Sequence, residues 1–511
     1  MKKLTLISIA TLTTLYYLSP IILAEENNSI ENSFRKLPKN ICLIYNGSTS
    51  RRQWKANDFI PYLIYQDQQT GDILPLFDAF LLIEYRTSEG KLFWGATNEK
   101  EFPDVHDWEW LASVWNNCLN ELNQAVKILH DKNTIEKDIG IIITIPEPSI
   151  NIHNFGSIST DNTNLNFQNE ADRITAIRWY IKKVLAEFSS APYSHLKLLG
   201  FYWLGESIPP TMENTVKQTA EIIHQANLQF YWIPYFTAHN VWAWKNLGFD
   251  FIYYQPNYFF NGEGGDTRLG LTAYRIEQFN CGVEMELDNR ILDSELHQFR
   301  FLRYLQAGTQ FKWNQKPMAW YQANDTILKL ATSPDKKHQQ IYRNIAKFIA
   351  QKYQPSDDLP AISIYTIPPR NGLNLAHRNN GTIITIEPTS NFYLSFNLEH
   401  AIDGDIDCYS GTSGFACCGI PGEIRIQFTD TLTISRVQML LYNLDERYYQ
   451  YRVETSEDGN IWKTIIDKTQ GEHRGWQIDT FPPLPVRYLR VIPLFNSTGQ
   501  NLFQLVELEV Y

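Results

Sequence analysis

Six cysteines in 511 residues are too few for a disulfide scaffold. No CxxC pair or His-rich tract carries zinc spacing. Cys42 and Cys281 sit in apolar runs and read as buried free thiols, and Cys408 is within reach of either Cys417 or Cys418. Clustered cations are also missing. Against 45 Lys and Arg stand 56 Asp and Glu, a net charge of -11, which makes nucleic acid a poor partner because phosphate binding needs grouped positive charge. No run after residue 25 has the ~20 apolar residues of a membrane span. Several catalytic signatures are absent as well. There is no GxGxxG dinucleotide loop, no Walker phosphate loop and no GxSxG elbow, so nucleotide-dependent chemistry and serine esterase chemistry have no support. No catalytic cofactor is expected.

What is present is globular text, 43% apolar and 20% charged, long enough for two to four domains at ~100–200 residues each. Aromatics are abundant, at 14%. That suits a large core, and it also suits a protein that stacks rings on flat sugar faces. The first residues read as an address. Lys2 and Lys3 precede an apolar stretch from Leu4 to Leu23, and Ala24 precedes Glu25-Glu26. This is the pattern of a secretory signal peptide over 1–24, with an uncleaved N-terminal anchor as the rival reading. The mature chain is expected outside the cytoplasm.

The remaining text divides near residue 355. Upstream, eight short apolar runs alternate with helical patterns. They begin at ICLIYNG (41–47), LFDAFLLIEY (76–85), IGIIITIPEP (139–148) and LKLLGFYWLGES (196–207). QFYWIPYF (229–236), FDFIYYQPNY (249–258), CGVEMELD (281–288) and PMAWYQA (317–323) follow. Runs this apolar suit parallel strands covered on both faces. Helical periodicity fills Trp108–His130, Asp172–Phe188, Glu213–Ala226, Gly270–Phe279, Ser294–Ala307 and Asp335–Tyr353. Eight β units alternating with helices predict an α/β domain, a (β/α)8 barrel over 40–354. A Pro-rich linker spans 355–373. From 374 to 511 short strand-like runs separated by turn residues predict an all-β sandwich.

In such a barrel the chemistry sits where the strands end. Glu206 closes the fourth run, and Glu284, Glu286 and Asp288 punctuate the seventh. Two opposed carboxylates are what glycoside hydrolysis needs, one as general acid and one as nucleophile or base. Glu206 and Glu286 are the expected catalytic pair. Glu284, Glu286 and Asp288 share parity and so face one side of their strand, a costly arrangement unless that side opens on a polar pocket. Glu284 is the alternative nucleophile, or a residue that holds its neighbour. Trp203, Trp232, Tyr254, Asn257 and Trp320 lie at or near strand ends and complete a predicted sugar site, together with Glu284 and Asp288. The Gly-rich segment 259–267 is a candidate lid.

Two resemblances add to this reading. Residues 374–511 resemble the discoidin family, also called the F5/8 type C or family 32 carbohydrate-binding fold. The motifs that carry it are Asn374-Leu375-Ala376, Ala401–Asp405 (AIDGD), YRVETSEDGNIW at 451–462, VRYLRV at 486–491 and the closing VELEVY. The resemblance implies a jelly-roll sandwich, a carbohydrate ligand and a structural calcium held by Asp405 and Glu507. The segment SGTSGFACCGIPGEIRIQF (410–428) departs from the family pattern, which usually has a Trp and a WIxIDLG-like strand there. The barrel region, through Trp54, Asp58-Phe59, Pro61-Tyr62, LFDAFLLIEY, GFYWLGES and GVEMELD, is similar to an uncharacterised family of secreted bacterial proteins, which implies a fold and no reaction. The strand-four and strand-seven acids resemble the arrangement of the large clan of retaining barrel glycosidases, although Gly205 stands where that clan commonly has Asn. Two functions follow as expectations: a secreted glycoside hydrolase targeted by a carbohydrate-binding module, or a non-catalytic surface protein that binds glycan.

Overall fold

The computed structural model describes residues 37–511, apart from 68–69, 160–161, 261–264, 364–365, 370–371, 389–396, 405, 407–413, 443–444 and 446. The expected signal peptide therefore lies outside the described residues, as do Asp405 and Cys408.

Eight parallel strands close into a barrel. They are β1 (Asn40–Tyr45), β2 (Ala79–Ile83), β3 (Ile139–Ile145), β4 (Leu196–Trp203), β5 (Gln229–Trp232), β6 (Phe251–Tyr254), β7 (Gly282–Glu286) and β8 (Met318–Tyr321). The ring order follows the chain, and β8 closes on β1. Every one of the eight apolar runs supplies a strand. Most strand residues are fully buried, because helices cover the outside while side chains fill the inside. The helices that matter below are α1 (Ala56–Leu63), α2 (Val105–Ser113), α3 (Asn116–Asp131), α4 (Glu170–Ser190), α5 (Glu213–Gln225), α6 (Gly265–Phe279), α7 (Glu295–Gln310) and α8 (Lys336–Ile349). The periodicity over Trp108–His130 is thus split between two helices, α2 and α3. Between β5 and β6 a single 3-10 turn, Val241–Ala243, stands where a full helix would be.

The register fixes which side chains point inward. Ala319 pairs with Glu284 and Tyr321 with Glu286, while Trp320 pairs with Met285. Residues paired across neighbouring parallel strands share a face. Followed around the ring, the inward set includes Tyr45, Ile83, Tyr202, Tyr231, Tyr253, Glu284, Glu286 and Tyr321. The barrel is tight: a Cβ on Gly200 would stand 1.9 Å from the Gln229 carbonyl oxygen, so only glycine fits at that crossing.

Beyond the linker lies the antiparallel sandwich. Its strands are β9 (Ile383–Glu387), β10 (Ala416–Gly419), β11 (Glu423–Leu441), β12 (Tyr449–Ser456), β13 (Lys463–His473), β14 (Trp476–Asn496) and β15 (Leu502–Val510). They follow the order β10-β15-β11-β14-β12-β13, with β9 beside β11. EIRIQF (423–428) and ISRVQMLL (434–441), separate runs in the sequence, belong to the one long strand β11, whose register shifts between Gln427 and Leu432. Such a shift bends the strand so that it can serve both layers. Asp458-Gly459 makes the turn between β12 and β13. The Asp458 Oδ1 accepts the Asn460 and Ile461 amides, and Gly459 takes φ 77.

The two domains touch through their own apolar cluster. Leu271 of α6, with Phe236 and Tyr274, packs on Ile406, Phe415, Leu440 and Val506 of the sandwich. The linker is tied down as well, because Arg303 and Gln306 of α7 donate to the Pro360 carbonyl and Gln310 donates to that of Ile362.

Candidate active site

Four carboxyl groups at the C-terminal ends of the strands are pushed up by burial. Glu147 follows β3, Glu206 follows β4, and Glu284 and Glu286 lie on β7. Each is treated differently by its surroundings.

Glu286 is fully buried and well supplied with donors. The Tyr304 hydroxyl of α7 donates to its Oε2, and the Asn257 amide donates to its Oε1 at 3.2 Å. That amide points inward because Asn257 takes a left-handed φ of 55. The Asn257 side chain in turn donates to the Tyr235 hydroxyl at 2.9 Å. Burial pushes the Glu286 carboxyl up to about 8, against the Tyr304 hydrogen bond and the Arg268 charge, which both favour the ionised form.

Glu284 lies deeper in the same strand and is also buried, and among the described residues its Oε2 finds no hydrogen-bond partner. Burial, then the charges of Glu286 and Glu206, hold it well above the carboxylate range. When two neighbouring acids share a site, the proton stays on the one with fewer donors. Here that is Glu284, so Glu286 is the first of the two to ionise.

Glu206 stands at the mouth, partly exposed, and burial alone lifts it to about 7. Its own loop is fixed, since the Tyr235 amide donates to the Glu206 carbonyl at 3.1 Å. Glu147 is likewise lifted to about 7 by burial. A Cβ on Gly205 would meet the Glu147 carboxyl at 3.3 Å and the Trp203 indole nitrogen at 3.0 Å. The Glu147 carboxyl therefore occupies the space a side chain at 205 would fill, and glycine leaves that space open.

The opposite wall is a neutralised pair. Arg51 donates Nε at 3.0 Å to Oε2 of Glu84 and a second nitrogen at 2.8 Å to Oε1, and its NH1 donates to Asn324 at 3.0 Å. The guanidinium lies 4.3 Å from the Tyr45 ring centroid and 4.9 Å from that of Tyr85.

Four expected sugar-stacking rings are not in this site. Trp203, Trp232, Tyr254 and Trp320 are all fully buried and have the outward parity of their strands. Trp232 stacks on Phe249 and gives its indole hydrogen to the Gly205 carbonyl at 2.7 Å. Trp320 packs between Phe77 and Phe348 of α8. Trp203 meets Phe230, and Tyr254 lies against Phe279 while donating to the Phe236 carbonyl. They cement the barrel to its helices. The rings partly open at the mouth are Tyr85, Tyr235, Phe236, Phe260 and Tyr321. Asp288 lies just past β7, with both oxygens 3.0 Å from Nε of Arg290. The described start of the candidate lid is fastened, because Arg300 donates to the Phe259 carbonyl at 3.1 Å and Phe260 meets the Tyr321 ring edge-on.

Sequence patterning misses Tyr304, Arg268 and Arg51, because each reaches the site from a helix or loop distant in the chain. In the sandwich, Glu507 is fully buried and its Oε2 accepts the Gly404 amide at 3.1 Å. Its expected partner Asp405 lies outside the described residues. Cys42, Cys118, Cys281, Cys417 and Cys418 are free and buried. Among the described residues no helix is long and apolar enough to cross a membrane.

Residues 40–347 match the family described as Domain of unknown function (DUF4855), and residues 385–508 match the F5/8 type C domain. Among curated proteins the chain is 31% identical over 109 residues to BTB/POZ domain-containing protein 9 of Drosophila melanogaster, covering 21% of this chain and 15% of that protein. The Homo sapiens protein of that name is 30% identical over 109 residues, covering 21% of this chain and 18% of its own length. The chain thus spans less than a fifth of these relatives. Similar solved structures include chitosan-binding module 1 from a chitosanase/glucanase of Paenibacillus sp. IK-5. It is 23% identical with a TM-score of 0.22 and covers 27% of this chain and 99% of that one. Another is CpGH89CBM32-5 from Clostridium perfringens, in complex with GalNAc-beta-1,3-galactose. It is 16% identical with a TM-score of 0.23 and covers 27% of this chain and 98% of that one.

Proposed function

We propose that this chain, which belongs to the DUF4855 family, is a glycoside hydrolase of the cell exterior whose sandwich domain binds carbohydrate. The observation that carries the proposal is the unequal treatment of two acids at one barrel mouth. Glu286 is oriented by donors from Tyr304 and Asn257, which favour its ionised form against burial, while Glu206 stands half-open at the mouth, lifted to about 7 by burial alone. That division suits a general acid and a nucleophile or base. Glu206 would deliver its proton to the departing glycosidic oxygen. Glu286 would attack the anomeric carbon or activate a water against it. Glu284, protonated beneath, would keep a second negative charge away from Glu286. The half-open rings Tyr85, Tyr235 and Tyr321 would face the sugar.

The F5/8 type C match over 385–508 supports glycan binding by the sandwich. Its docking on α6, three residues from Arg268, would hold glycan close to the mouth. The buried carboxyl of Glu507 fits a hard cation, so calcium would sit there, with Asp405 as the second ligand the family resemblance implies, and brace the bend at Gly404. The leader-like pattern at 1–24 supports export.

A second reading, a non-catalytic glycan-binding protein, rests on the complete burial of Glu286, which solvent barely reaches. Release of reducing ends from a panel of polysaccharides separates the two. Release from at least one is expected. Retardation on glycan gels with no release from any would establish the second reading.

A further inference from the structure

The end of the barrel away from the carboxylates holds a cluster that the glycosidase reading leaves unused. His130 lies in the last turn of α3, Asp138 immediately precedes β3, and His195 immediately precedes β4. One ligand atom from each lies within 4.8 Å of the other two. We infer that His130, Asp138 and His195 form a binding site for a divalent transition-metal ion, zinc foremost, at the N-terminal end of the barrel.

The donor set selects the ion. Two imidazoles and one carboxylate are the ligands of zinc and its first-row neighbours, with a water for the remaining position. Calcium and magnesium want oxygen donors and would find one. The rings of His130 and His195 are stacked, with centroids 4.5 Å apart and planes 28° from parallel.

The scaffold around them is fixed. The His195 amide donates to Oδ1 of Asn123 on α3 at 3.0 Å, and the His195 carbonyl accepts the Ile139 amide at 3.0 Å. The Lys137 carbonyl lies 3.4 Å from Nε2 of His130, and a bond there leaves Nδ1 with the lone pair, as backbone partners do for metal-binding histidines. Asp131 is nearby but is taken by Lys127 at 2.6 Å, which leaves Asp138 as the carboxylate ligand. Tetrahedral zinc with ligand bonds of about 2.0–2.1 Å needs its donors roughly 3.3 Å apart, so small side-chain rotations would complete the site. Bound metal would staple the end of α3 to the starts of β3 and β4.

The test uses the full chain, stripped with chelator and titrated calorimetrically with zinc chloride, and with cobalt followed by its visible absorption. One ion per chain is expected, together with a rise in the melting temperature of the barrel. His130→Ala and His195→Ala should each weaken binding by ~100-fold or more, given that even outer-sphere partners are worth ~10–100-fold. Asp138→Asn, an exposed change that folding tolerates, should weaken it less, and His153→Ala should leave it unchanged. Absence of saturable binding would overturn the inference. So would stoichiometric binding that survives in the folded His130→Ala/His195→Ala double variant.

Discussion

The Tyr304 hydroxyl accepts the Tyr258 amide at 3.2 Å and donates to Oε2 of Glu286. A tyrosine on the outer helix α7 thereby orients an acid on the inner strand β7 and favours its ionised form against burial. Tyr304→Phe removes the donor and keeps the ring. Hydrogen bonds to ionised groups are worth about 1.5–3 kcal/mol, so kcat should fall by ~10–100-fold with little change in KM. Because the lost donor favoured the carboxylate, the acidic limb of the pH–rate profile should move to higher pH. A lower kcat with an unmoved limb would mean that Tyr304 only packs.

Gly205 and Glu147 share one space. Gly205→Ala should displace the Glu147 carboxyl and tilt the loop that carries Glu206. Activity should drop at least ~10-fold, since small misplacements of a catalytic group are costly. Far-ultraviolet circular dichroism should not change. Full activity in Gly205→Ala would show that the position of Glu147 is irrelevant to the reaction.

The buried acids give stability a pH slope of known sign. Glu147 and Glu206 are raised from 4.5 to about 7 and Glu286 to about 8, so between those limits the folded chain holds more protons than the unfolded one. Stability must then fall as pH rises through that window. Glu284→Gln mimics the neutral acid permanently. It should change little at pH ~5 and raise the melting temperature of the barrel by ~2–3 °C at pH ~8. A variant less stable than the parent at both pH values would show that the orphaned carboxyl has a partner it needs.

The proposed calcium would bear on the sandwich alone. Added to metal-free chain, it should raise the melting transition of the sandwich, and Glu507→Gln should abolish the rise. A transition indifferent to calcium would remove the metal from Glu507.

The eight strands were legible because each is an apolar run bounded by turn residues, a signal that survives without alignment. The acids of β7 were legible because their two-residue spacing put them on one face. The misplaced aromatics show what that spacing cannot carry across strands. Trp320 pairs with Met285, not with an acid, and this one-residue offset sends it to the helices. Tyr304 and Arg51 were illegible because their contacts join segments 18 and 33 residues distant, and no local period marks them. In β11 the polar residues Thr429-Asp430-Thr431 interrupt the apolar pattern, yet the strand shifts register there and continues.

The central claim is that Glu206 and Glu286 perform glycoside hydrolysis as acid and nucleophile or base. Its most direct test is the rate of Glu206→Gln and Glu286→Gln on the substrate found by the panel and on an aryl glycoside of the same sugar with a good leaving group. Both variants should lose ~10²–10⁴-fold or more on the natural linkage while keeping the parent's fold. Glu206→Gln should keep far more activity on the aryl glycoside, whose departure needs no proton, and Glu286→Gln should not. Parent-like turnover by both variants on both substrates would contradict the claim outright.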